Sequence, residues 1–193
     1  MIRGRNTALA LVLAVAACGH GVTTSEVDRA IMPQVAGVPV LSPEGAVGYA
    51  AYSLGHRSTT VGQPANAALA LAAVDYLAGD FYTDFHWFAV PGQDKVMMML
   101  GRGEMRTALW IAPFATSQQV VNGLVAASIA YRANDPVAVA AALPPNVFTL
   151  GPDGTTRVLS NLPPLVNANT SAQAVEGFLN FGCINGGASF GCS

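Results

Sequence analysis

Between Pro64 and Ala78 the chain is almost unbroken Ala, Leu and Val, with Asp75 its one charge and no interior Gly or Pro. Such a run, apolar around its whole circumference, predicts a central helix, and Gly79 is placed to end it. The pattern is amphipathic elsewhere. Thr116-Ser117-Gln118-Gln119 forms a capping box, and Val121, Leu124, Val125, Ser128 and Ile129 follow at helical spacing. Ser42-Pro43-Glu44 offers an N-cap, a proline at N1 and a first-turn acid for a helix closed by Gly55. A turn between short strands 35–41 and 46–54 competes with that reading. Asp94 can cap a helix through Trp110, which Gly101 and Gly103 weaken by about 1 kcal/mol each, so a kink is expected there.

Asp135-Pro136 starts a short Ala-rich helix stopped by Pro144-Pro145. Phe148–Leu150 and Thr155–Leu159 flank Gly151-Pro152-Asp153-Gly154 and predict a β-hairpin. A second capping box, Thr170–Gln173, opens a last helix with Ala174, Val175, Phe178 and Phe181 inward and Gly182 at its C-cap. The expectation is a mainly α fold: a small helical domain of about five helices over 42–193, with one β-hairpin and a disulfide-tied C-terminal tail.

The N-terminus follows a different pattern. Arg3 and Arg5 precede Thr7–Ala17, an uncharged run of Ala, Leu and Val. As a helix it would span about 16 Å, half a hydrocarbon core, which fits an export signal and not a transmembrane span. Val15-Ala16-Ala17-Cys18 places small residues before a cysteine at the end of that run. This segment resembles the signal and lipobox of bacterial lipoproteins, over residues 1–19 only. The resemblance implies removal of residues 1–17, lipidation of Cys18 by a diacylglycerol thioether, and a domain held on the cell envelope by 18–41 as anchor and tether. Gly19, in place of the Asp associated with inner-membrane retention, points to the outer membrane, facing the periplasm. Ordinary cleavage after Ala14-x-Ala16 is the competing reading and would leave Cys18 a thiol. With Cys18 lipidated, Cys183 and Cys192 remain as an even pair around a Gly/Ser/Asn-rich stretch. A disulfide between them would contribute about 2–3 kcal/mol.

Without residues 1–17 the chain keeps 176 residues, enough for one cored domain. It then carries seven basic and eleven acidic groups, net about −4, with no basic stripe, so nucleic acid is a poor partner. Eighteen charges in 176 residues fall well under the about 25% of an ordinary domain, as Ala-rich helices allow.

The polar side chains concentrate between Asp75 and Arg106, where Asp80, Asp84, His86, Arg102, Glu104 and Arg106 stand among aromatics. A metal site would need Asp80, Asp84 or Glu104 to converge with His86. Carboxylate hydrolysis would need Asp80 or Asp84 close to Glu104. The simpler reading pairs the arginines with the aspartates between packed helices. No Gly-x-Ser-x-Gly, phosphate loop or cofactor motif is present, and Met97–Met99 face three directions on a helix, as core packing would have them. The expected function is therefore structural or protein-interacting, with the membrane and an envelope protein as partners. An apolar-ligand carrier comes second, and a hydrolase or metal-dependent enzyme last.

Overall fold

The computed structural model describes residues 28–34 and 41–184. Among them are seven α-helices: α1 Pro43–Gly55, α2 Pro64–Thr83, α3 Gly92–Ala108, α4 Ser117–Arg132, α5 Pro136–Ala142, α6 Gly151–Ser160 and α7 Val166–Ile184. The fold is mainly helical, with no strand among the described residues. The leader with Cys18 lies outside them, as does Cys192, and of Cys183 only its place in the backbone of α7 is described.

The Ala-rich run does become the centre. Every residue of α2 from Ala67 to Phe81 is buried, because α1, α3, α4 and α6 all pack on it. The alanines let neighbouring backbones come close, while Leu69, Leu71, Leu77 and Phe81 fill the gaps. On the far side α7 covers α1 and α3, and α5 bridges α4 and α6.

Caps read from local sequence hold where the capping residue is itself local. Ser42 accepts from the Gly45 amide. Thr116 and Gln119 form the full reciprocal box, and Asp135 accepts from the Val137 and Ala138 amides. The glycines behave differently. Gly79 does not end α2, which runs four residues further. A Cβ on Gly79 would stand 2.5 Å from the Asp28 carbonyl oxygen, so the glycine is where the segment 28–32 crosses the helix. Gly101 produces no break in α3 either. Its missing side chain admits the backbone of α7, with Ala168 Cα 2.5 Å from where a Cβ would be. Asp94 is not the cap of α3; the helix opens at Gly92 and Asp94 lies in its first turn.

The hairpin expectation is overturned. Gly151-Pro152-Asp153-Gly154 is the first turn of α6, and Thr155–Leu159 continue it. A proline and an acid suit a helix start as well as a turn, and Thr155 and Leu159, one helical turn apart, are both fully buried. None of the expected pairing forms; Phe148 instead makes one isolated antiparallel bridge to Ile111. The last helix also starts earlier than expected, at Val166, so Thr170–Gln173 lies inside α7. Gly182 is not its cap, and Phe181 is 70% exposed, not inward, whereas Val175 is fully buried.

Candidate functional site

The polar residues between Asp75 and Arg106 divide into two clusters along α2, plus one outlier. Asp75 is the deepest, fully buried on the face of α2 that meets α3. Arg106, in the last turn of α3, reaches it as a fork: Nε donates to Oδ2 at 2.8 Å and Nη2 to Oδ1 at 3.0 Å. The remaining donors fasten the loop after α3, with Nη1 to the Ala115 carbonyl at 3.0 Å and Nη2 to Ser117 Oγ at 2.9 Å. Arg102, one turn earlier on the same face, donates to Ser117 Oγ at 2.9 Å and to the Asp28 carbonyl at 3.0 Å. Burial, with Arg106 beside it, lowers the pKa of Arg102, and Asp75 and Asp28 oppose that shift. The Asp28 carboxylate accepts from the Ser117 amide at the start of α4 and stands 3.8 Å from Arg106 Nη2. Two arginines, two aspartates and one serine thus tie α2, α3, α4 and the segment 28–32 together.

The second cluster lies at the C-terminal end of α2. Asp80 Oδ2 accepts from Tyr76 Oη and Trp87 Nε1, both at 2.8 Å, and Oδ1 stands 3.3 Å from the Arg29 guanidinium. Burial raises the Tyr76 phenol far above the ordinary tyrosine range, and the Asp80 carboxylate that it serves raises it further. Asp84 caps a single 3-10 turn, Phe85–Trp87, by accepting from the His86 amide at 2.9 Å. Its second oxygen is 3.3 Å from Arg29. His86 Nε2 stands 2.7 Å from Glu44 Oε1 on α1, and its ring meets the edge of Trp87.

Glu104 is the outlier. Two residues from Arg102 and Arg106 it points about 200° away around α3, toward α7. There it accepts from the Asn167 amide at 3.1 Å and from Asn167 Nδ2 at 2.6 Å. The carboxylate acts as the N-terminal cap of α7, supplied by another helix.

Of the six residues singled out in the sequence, Asp80, Asp84 and His86 come together, Arg102 and Arg106 form a separate group, and Glu104 joins neither. Asp28, Arg29, Glu44 and Ser117 complete the clusters and were not singled out. Only the short charged run Glu26-Val27-Asp28-Arg29 hinted at them. Among the described residues no group of three His, Cys, Asp or Glu side chains is placed to hold a metal. The methionines behave as filler: Met98 and Met105 are fully buried and Met99 packs against the core. Open depressions lie between the helices, one of about 350 Å³ beside Tyr131, Val139 and Pro152 and one of about 520 Å³ beside Trp110, Leu150 and Pro163. No described helix is long and apolar enough to cross a membrane. No protein-family model, curated protein or solved structure matches this chain.

Proposed function

We propose that the protein is a lipid-anchored component of the bacterial cell envelope, held at the outer membrane through Cys18 and facing the periplasm, with a structural or protein-interaction role. The observation that carries the reading is the leader, two arginines and a short apolar run closed by Val15-Ala16-Ala17-Cys18. The helical domain supports an architectural role over a chemical one. Its polar side chains are engaged with one another: Arg106 with Asp75, Trp87 and Tyr76 with Asp80, Glu104 with the start of α7. A reacting centre would present such groups to a cleft instead.

Cys18→Ser tests the anchor. Metabolic labelling with a palmitate analogue is expected to mark the wild-type chain alone, and fractionation to find the variant released from the membrane. Equal labelling of both chains contradicts the proposal. A disulfide between Cys183 and Cys192 belongs to the same reading, since an exported chain meets an oxidising compartment. Alkylation of the denatured, unreduced protein is expected to find neither thiol.

A further inference from the structure

The connection from α3 to α4 exposes large apolar side chains on a turn fastened by hydrogen bonds. Trp110 is 65% exposed and Phe114 95%. Trp110 occupies the left-handed region, at φ 51°, a conformation that costs a bulky residue about 1–3 kcal/mol and that glycine would adopt freely. The turn is pinned on every side. The Ile111 amide donates to the Arg106 carbonyl, the Ala112 amide to the Val147 carbonyl, and both the amide and hydroxyl of Thr149 to the Trp110 carbonyl. Beyond Phe114, the Ala115 carbonyl is held by Arg106. A strained tryptophan and an outward phenylalanine on so fixed a frame are built to meet something.

The geometry points to a lipid bilayer surface as that something: Trp110 and Phe114 seat the domain on the membrane to which Cys18 fastens it. This rests on the Cys18 reading for the nearness of a bilayer. The path of the chain supplies the placement. Asp28, where the described residues begin, is bound to the Ser117 amide, three residues past Phe114, so the connection back to Cys18 starts beside this loop. Nine residues lie between Cys18 and Asp28, and those ten steps reach at most about 36 Å, which bounds how far Asp28 can stand from the anchor. The chemistry suits the interface as well. A tryptophan with an apolar body and one N–H prefers the headgroup boundary, and Arg157, exposed on the wall of the depression beside Trp110, can meet anionic headgroups. A second copy of the chain fits less well. Two aromatic side chains cover about 300–500 Å², short of the about 800 Å² per partner that a stable dimer buries. A surface already tethered needs no such area.

The two tryptophans of the chain make the test direct, because Trp87 is 1% exposed and bonded to Asp80. The full chain with its anchor is reconstituted in vesicles of phosphatidylethanolamine and phosphatidylglycerol, with and without acyl-brominated lipid, and the same preparation is assayed for the palmitate label. The expected result is blue-shifted Trp110 emission that loses most of its intensity to brominated lipid. The residual Trp87 signal in Trp110→Phe stays unquenched, and Phe114→Ser weakens the quenching of Trp110 with Trp87 unchanged. Labelled protein with an unquenched Trp110 overturns the seating and leaves the anchor standing. Quenching without label upholds the seating and refutes the anchor. An emission shift that follows protein concentration and ignores brominated lipid assigns the loop to a second copy, and overturns the proposal.

Discussion

Asp75 and Asp80 stand five residues apart on the same buried helix, exposed by 0% and 2%, yet the protein satisfies them by opposite means. Asp75 receives a guanidinium from a neighbouring helix in bidentate geometry, so its charge is cancelled inside the fold. Asp80 receives two neutral donors, a phenol and an indole, and its only cation within ion-pair distance among the described residues is Arg29, 47% exposed on a segment laid over the surface. The difference assigns the two sites different work. The Asp75 cluster joins α2, α3 and α4 and holds Asp28 among them, whereas the Asp80 cluster closes the end of α2 and holds Arg29.

The largest expected effect comes from breaking the inner pair. Arg106→Met leaves a buried carboxylate uncompensated and frees the loop after α3, so a loss of about 3–5 kcal/mol is expected in denaturant unfolding. Only a small loss there would mean that water reaches Asp75.

Next comes an alkaline effect in the outer cluster. Tyr76 ionises far less readily in the folded chain than its ordinary value of 10.0. The unfolded phenol therefore loses its proton first, and stability falls as pH rises above about 10. In Tyr76→Phe, pH-dependent unfolding curves should fall less steeply above that point.

The smallest effect belongs to the rim. His86 and Glu44 side chains are 33% and 46% exposed, and pairs of that kind contribute at most about 1 kcal/mol. His86→Gln should change the melting temperature little, and cellular phenotype should track protein abundance. Normal folding and abundance with function lost would instead assign His86 a chemical role.

Local signals in the sequence translated well. The caps at Ser42, Thr116 and Asp135 bond within three residues of themselves, so their chemistry is complete in the stretch that displays it. The Ala/Leu run of α2 announced its burial by lacking any polar face. Non-local contacts were hidden. Gly79 and Gly101 read as a helix stop and a kink, because nothing nearby in sequence reveals that Asp28 and Ala168 press against them. The start of α7 was placed five residues late because its capping carboxylate, Glu104, stands on α3. Gly151–Gly154 was misassigned since turns and helix starts draw on the same residues. For the candidate site, the simpler reading paired both arginines with Asp75, Asp80 or Asp84; Arg106 does pair with Asp75, whereas Arg102 bonds Ser117 and the Asp28 carbonyl instead. The contributions of Asp28, Arg29 and Glu44 were not visible, because they come from outside the stretch where the charges gather.

Asp75 and Arg106 act as one unit in holding α2 to α3, and a double-mutant cycle measures that coupling. Asp75→Leu, Arg106→Leu and the double variant are compared with wild type by equilibrium unfolding. The prediction is that each single change costs more than the double change does relative to its parent, with a coupling of about 1–3 kcal/mol. Single losses that add to the double loss within about 0.5 kcal/mol would show that the two residues act independently, and would contradict the account.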